Sequence, residues 1–485
     1  MSAMFRSLRR YNYRTWFIGG LISSTGQWMQ MTAQSWVVLT VLTEGDAAAM
    51  GVSMALQFAP PLLLVGPAGW VSDRFSRRRI LAITQAAFML LAISMGLLLL
   101  TGIMTLPMMY GFAVALGVVA AFDNPARQVF VSDLVTAEDT SNAVALNSAL
   151  FNMARLVGPA VAGIVVVAVG GGWVFMVNAT TFLAMLIALA LIRVRELTPR
   201  PRMASTGRIS DGFRYVAKRP DLIVLFVIAF IMGAFGMNFP IYASTMAVEF
   251  GHDADGFGLL TSVLAIGSLA GALMAARRAR AQLRVAIIAA LAFGVAQFAS
   301  VFMPTFWTYA AVLPIVGFAI VTMLTTANGY VQTTTDLRVR GRVMAVYMAI
   351  LMGGTPVGAP IVGAVAETWG PRAAIVVAAG AGVVAFAIGA IWMLASGRLR
   401  KDADARLGLS LSATRPIEII ADPIPEVFSD EVASTSPISL DDLEEAFESA
   451  NSGRPRVPQP RTPHVRSPQE RHPEPVSTDR GSGAR

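Results

Sequence analysis

Twelve long apolar stretches run through this chain, each long enough to cross the hydrocarbon core of a bilayer, which takes about 20 mostly apolar residues. Their approximate bounds are 14 to 42, 49 to 71, 78 to 101, 106 to 123, 143 to 170, 173 to 192, 222 to 249, 257 to 276, 284 to 303, 306 to 330, 343 to 369 and 372 to 395. A water-soluble fold cannot hide blocks of this kind. Of the 485 residues 55% are hydrophobic and 14% charged, whereas a soluble domain carries charge on roughly a quarter. The expected fold is therefore an all-α integral membrane bundle of twelve transmembrane helices.

Lys and Arg gather on the cytoplasmic side of short loops, so alternate loops test the count. One set, up to Lys401, holds 27 Lys or Arg, including Arg6, Arg9, Arg10, Arg74, Arg77, Arg78, Arg79, Arg277, Arg278, Arg338, Arg340 and Arg342. The other set holds Arg372 alone. A miscount of one span would scramble this alternation, so both termini are expected in the cytoplasm of an inner (plasma) membrane protein. The net charge of +8 follows topology and does not point to nucleic acid. The opening MSAMFRSLRRYNYRTW leads directly into a span without a small-residue cleavage site, so the first helix is expected to direct insertion. There is no cysteine, hence no disulfide framework and no thiolate chemistry.

The loop at 193–221 divides the spans into an N-terminal half, 1–192, and a C-terminal half, 222–395. Within it ISDGFRYVAKRP fits either a short helix on the membrane surface or an ordinary basic linker. From 396 to 485 the chain turns to Pro, Ser, Asp, Glu and Arg, with an acidic patch from Asp441 to Glu448, and reads as a disordered cytoplasmic tail. That tail is either a regulatory segment or an inert extension. The run RLVGPAVAG, with Gly158 and Gly163, recurs as TPVGAPIVG, with Gly358 and Gly363, 200 residues later. Repeated halves with substrate bound between them are a common plan for secondary transporters.

Between the second and third stretches stands GWVSDRFSRRRIL. It resembles the loop signature of the major facilitator superfamily at Gly69, Asp73, Arg74, Arg77 and Arg78, with Ser76 where a glycine is usual. The resemblance implies a conformational latch in which Asp73 docks near Gly341 to Ala345 in the outward-facing state; the basic cluster also satisfies the positive-inside rule. The runs FDNPARQVFVSDLV, NAVALNSALFNMARLVGPAVAG and RGRVMAVYMAILMGGTPVGAPIVG resemble the enterobactin-exporter-like and drug:proton antiporter branch, over about residues 4 to 395. Gly158, Pro159 and Gly163 match the antiporter signature, with Ala162 replacing a second glycine. Pro159 should kink its helix and the glycines should admit a close neighbour. Simple packing accounts for them equally well, and the family match tips the reading toward export.

Arg155 falls about twelve residues into its span, where a charge faces a cavity or a partner by default. It could bind an anionic group, change partners during rocking, or cap carbonyls beside Pro159. Asp123, near the end of the fourth stretch, should pair with Arg74, Arg77 or Arg127. Mid-span carboxylates are lacking, so proton coupling is what the resemblance implies, with Asp123, Arg127, Arg155 and Glu249 as candidates. Gln27, Gln30 and Gln34 share one face of the first helix beside Trp28. With Asn152, Asn238, Asn328 and Gln332 they are candidates for a substrate cavity, or for interhelical hydrogen bonds. Nothing resembles an ATP-binding loop, a catalytic triad or a zinc pair, so no enzyme, metal or cofactor is expected. The expectation is a monomeric, proton-coupled exporter of amphipathic drugs or siderophore-like compounds, working by alternating access among membrane lipids. Its rivals are a nutrient importer on the same fold and a non-transporting scaffold or sensor.

Overall fold

A computed structural model describes residues 3–197, 209–278 and 281–396. The proposed tail, 396–485, lies outside them beyond its first residue, as does the 198–208 part of the central loop. Every regular element in the described residues is helical. Lipid dictates this outcome, because a helix satisfies its own amides and carbonyls without water.

The first seven helices are α1 (Tyr11–Trp36), α2 (Ala47–Leu63), α3 (Val65–Arg74), α4 (Arg77–Leu100), α5 (Leu106–Asp133), α6 (Thr140–Val169) and α7 (Gly171–Leu191). A short α8 (Ile209–Ala217) leads into α9 (Pro220–Ile231), α10 (Phe239–Glu249), α11 (Ala254–Ala276), α12 (Leu283–Val301), α13 (Phe306–Thr334), α14 (Arg340–Trp369) and α15 (Pro371–Ala395). Ten spans among the described residues, counting α9 and α10 together as one, are long and apolar enough to cross a membrane. There are eleven if α2 and α3 form one span bent by 54°. Pro60, Pro61 and Pro67 bracket that bend, and each lacks the amide that would continue the ladder. Of the two helices left outside that count, α8 is short and α1 is 26 residues long but polar for a span, with Ser23, Ser24, Gln27, Gln30, Thr32 and Gln34 along it.

Two expected bounds shift. The fourth stretch was expected to end at 123, but α5 continues to Asp133 through Pro125, because Asp123 and Arg127 are one turn apart and neutralise each other. The stretch 222–249 is not one regular helix. A wide π-type turn at Met232–Gly236 and a break at Met237 and Asn238 separate α9 from α10.

Within the first group, α1 lies against α6 and α7, α4 against α7 and α2 against α5; in the second, α11 and α12 pack on α13 and α12 on α15. The two groups meet through α2 with α14 and α6 with α11. These contacts are equivalent. Gly51 of α2 bears on the backbone of Ala359 and Gly258 of α11 on that of Pro159, while Gly363 faces Ala47 and Gly163 faces Ala254. Gly170 and Gly370, 200 residues apart, turn the chain with φ of 89° and 88°, a region where L side chains are strained.

The basic segment before α9 does form a helix, α8, but it is packed on α14. Gly212 sits against the backbone of Arg342, whose Nη1 is 3.4 Å from Asp211. At the junction with α9, Arg219 donates through Nε and Nη2 to both oxygens of Asp221 (2.9 and 2.7 Å), and through Nη1 to the Tyr215 hydroxyl and Thr334 carbonyl. Tyr330 donates to Asp221 Oδ2 at 2.8 Å. The hydrogen bonds to Asp221 outweigh burial and hold Arg219 above the ordinary guanidinium range. Removing one partner of such a pair strands a buried charge, Asp221 being 2% exposed. Arg219→Ala is therefore expected to cost about 3 kcal/mol, read as a lower unfolding temperature in detergent. Arg219→Lys should recover only part of it, since a lysine cannot bond the carboxylate through a fork.

Candidate functional site

The loop signature spans the end of α3, with Gly69, Asp73 and Arg74, and the start of α4, with Arg77 and Arg78. Arg77 Nη1 donates to both oxygens of Asp133 at 2.9 and 2.7 Å, tying α4 to the end of α5. Arg78 donates to the Leu189 and Ala190 carbonyls at 2.8 and 3.4 Å, which caps the C-terminus of α7, where a cation also suits the helix dipole. Arg74 instead lies over the Trp70 ring, 5.5 Å from its centroid. Gly69 closes on no neighbour. The Asp73 side chain lies outside the described residues, so its expected docking at Gly341 to Ala345 stays an expectation; among the described residues no atom would meet a Cβ on Gly341 within 4 Å.

Asp123 pairs with Arg127 and not with Arg74 or Arg77. Arg127 Nε donates to Oδ2 at 2.9 Å, while Thr84 and Gln85 donate to Oδ1 at 2.7 and 2.9 Å. Ser23 of α1 extends the chain by donating to Gln85 Oε1 at 3.2 Å. Arg127 also lies over Trp16, 5.6 Å from the ring centroid. The carboxylate is 3% exposed, so three helices converge on one buried anion. Arg77 does not join this network because Asp133 takes it first. Glu249 lies elsewhere, in a half-exposed ion pair with Arg372 at 2.7 Å.

Arg155 of α6 occupies a different setting. Among the described residues it has neither an ion pair nor a hydrogen bond. Its guanidinium lies 5.6 Å from the centroid of the Trp28 ring, which itself packs edge-on against Phe151. It reaches from the first group into a recess walled by the second, with Met237, Phe239, Leu264, Phe293 and Ile320 among the lining residues. The recess has a volume of about 50 Å³. An unpaired cation at mid-span costs about 2.5–3.5 kcal/mol on insertion scales, so its retention there calls for a use. The expected alternative of capping carbonyls beside Pro159 is absent among the described contacts.

The remaining candidates do not converge on this recess. Gln30 accepts from Asn178 at 2.6 Å and Gln34 donates to Gln57 at 3.3 Å, so both join helices. Asn152 donates to Ser148 on its own helix, and Gln332 to Asn328 on theirs. Gln27 is exposed. Asn238, between two lining residues, donates to the Ala234 carbonyl, yet its Oδ1 is buried without a partner. Gly158 packs on α1 at Trp28, and Gly163 on α11, so the Gly-Pro run joins both a neighbour within its group and the opposite group. Sequence reasoning missed Asp133, Gln85 and the Phe293 and Ile320 walls. Gln85, a lone amide inside an apolar stretch, was the one signal available.

Long apolar helices in two groups, meeting about a recess with a single cation, define a multi-pass membrane transporter. The chain belongs to the transmembrane secretion effector family of the major facilitator superfamily, matching it over residues 2–409. It is similar to the staphyloferrin A transporter of Staphylococcus aureus, with 24% identity, covering 73% of this chain and 89% of that protein. It is similar also to the multidrug efflux pump Tap of Mycolicibacterium fortuitum, at 26% over 73% and 88%, and to the enterobactin exporter EntS of Salmonella choleraesuis, at 26% over 77% and 87%. Among solved structures, a bacterial homologue of the lysosomal transporter Spinster, inward-facing and unoccupied, superposes with TM-score 0.60. It has 16% identity and covers 80% of this chain and 96% of that one. At such identity the likeness shows the fold alone. The protein is a multi-pass inner-membrane transporter of small molecules with efflux pumps and siderophore exporters among its relatives.

Proposed function

We propose that this chain is a secondary active exporter of amphipathic small molecules, driven by exchange with protons. Twelve spans carry it, α1 and the bent α2 and α3 among them, and both termini are cytoplasmic. The polarity of α1 is compatible with a span because its amides and hydroxyls bond to neighbouring helices, as in Ser23 to Gln85 and Asn178 to Gln30. The halves 1–192 and 222–395 rock about the recess at Arg155.

The observation that carries alternating access is the matched pair of interfaces, α2 with α14 and α6 with α11. Their contacts involve Ala47, Ala254 and Glu367, whose Oε2 accepts from the Ala47 amide at 3.0 Å. With the Arg-rich loops in the cytoplasm, these residues lie toward the outer side, so this is a state closed to the outside. The direction of transport does not follow from the fold; export is favoured by the relatives named above. Asp123 is the favoured coupling carboxylate because its buried network links α4, α5 and α1.

Energised cells expressing the chain should expel fluorescent amphipathic compounds or a catechol-type siderophore, and a protonophore should stop the expulsion. Expulsion that persists with the protonophore would remove proton exchange from this reading. Accumulation in right-side-out vesicles would replace export with import.

A further inference from the structure

Resting on the export reading, we infer that the recess at Arg155 selects its substrate by charge and takes amphipathic organic anions. The cation enters from α6 while the lining walls come from the break before α10 and from α10 through α13, so the binding group and its apolar seat belong to opposite groups of helices. Among the described residues no acidic side chain lines the recess. Arg155 has the face of Trp28 beside it and no anion among the described residues, so a cationic ligand would meet an uncompensated like charge, and an anionic one would supply the missing partner. A charge pair of this kind strengthens where water is thin, because the local dielectric is low.

A polar atom beside the recess points to a ligand as well. Asn238 Oδ1, held between the lining residues Met237 and Phe239, is buried without a partner. Buried polar groups are satisfied as a rule, so this amide oxygen at the edge of the seat marks a place where a hydrogen bond is completed by a bound molecule or its waters. The volume of about 50 Å³ exceeds what one water needs but is far below the roughly 300 Å³ of a drug-sized site. It suits a carboxylate, sulfonate or phenolate head, with the apolar body lying between the two helix groups.

An anionic phospholipid headgroup offers the same chemistry, so the test separates the two sources. The full chain, in phosphatidylcholine nanodiscs, is titrated with pyrene-1-sulfonate and with 1-pyrenemethylammonium, which share one aromatic body. The sulfonate should bind about tenfold to a hundredfold more tightly. Arg155→Gln should erase that preference, and Arg155→Lys should restore part of it with unchanged elution as a folded species. Adding phosphatidylglycerol should leave sulfonate affinity unchanged; competition by the lipid would reassign the site to a headgroup and overturn the substrate assignment. Equal or tighter binding of the ammonium, binding of neither probe, or a preference that survives Arg155→Gln would also overturn it. The export reading is tested separately, by gradient-driven movement in vesicles: expulsion of the ammonium alone would keep export and discard anion selection.

Discussion

Replacing Gly163 with Leu is expected to abolish export by holding the α6 and α11 interface apart. A Cβ at this position would stand 2.7 Å from the Ala254 carbonyl oxygen and 2.9 Å from Asp255 Cα, distances that backbone atoms cannot yield to without movement. Overpacking of this kind costs about 1–3 kcal/mol. Concentrated in the one conformation that makes the contact, it moves the equilibrium between states by about 5- to 150-fold. The chain contains no cysteine, so a single one placed at Ser262, whose hydroxyl donates across the interface to the Leu156 carbonyl at 2.9 Å, reports the opening. Labelling by an impermeant maleimide should rise about tenfold in the Gly163→Leu background, while Gly163→Ala should give a smaller rise. Gly363→Leu, facing Ala47 and Ala48 on the equivalent interface, should likewise abolish export. Unchanged labelling together with lost protein yield would make the glycine a folding requirement and nothing more.

The glycines were legible in the sequence because a spacing repeated after 200 residues is a one-dimensional signal. Their partners were not, since the closeness of Gly163 to Ala254 depends on how two helices far apart in sequence cross. The same limit explains the carboxylates. Asp123 had Arg74, Arg77 and Arg127 as expected partners, and only the fold selects Arg127; Asp133, which takes Arg77, lies beyond the expected end of the fourth span. The polar run FDNPARQ lies inside α5, and polarity is a poor stop signal where charges cancel within one turn. Of the glutamines of α1, Gln27 is exposed, while Gln30 and Gln34 are consumed by Asn178 and Gln57, because an amide in an apolar bundle bonds to whatever neighbouring helix offers a partner. Arg155 could be singled out from its depth alone. The walls of its recess could not, being ordinary Phe, Leu and Ile side chains in stretches where nearly every residue is apolar.

Asp123→Asn should end gradient-driven export, and the way in which stability responds will tell what the residue does. Its carboxylate accepts from Arg127, Thr84 and Gln85, so the neutral amide weakens three hydrogen bonds and leaves the partly buried Arg127 without its anion. Removing one member of a buried ion pair costs about 3–5 kcal/mol, and Asp123→Ala should approach that figure in unfolding measurements on the purified protein. Arg127→Gln alone should be comparably destabilising, because it strands the opposite charge. The double variant Asp123→Asn with Arg127→Gln removes both charges while keeping the volume, so its loss should be well below the sum of the two single losses, as expected for residues in contact. Transport separates the readings. If Asp123 carries the coupling, the double variant is nearly as stable as the parent chain and still fails to export against a gradient. If the network only joins α1, α4 and α5, export returns with stability, and the coupling carboxylate must be sought elsewhere.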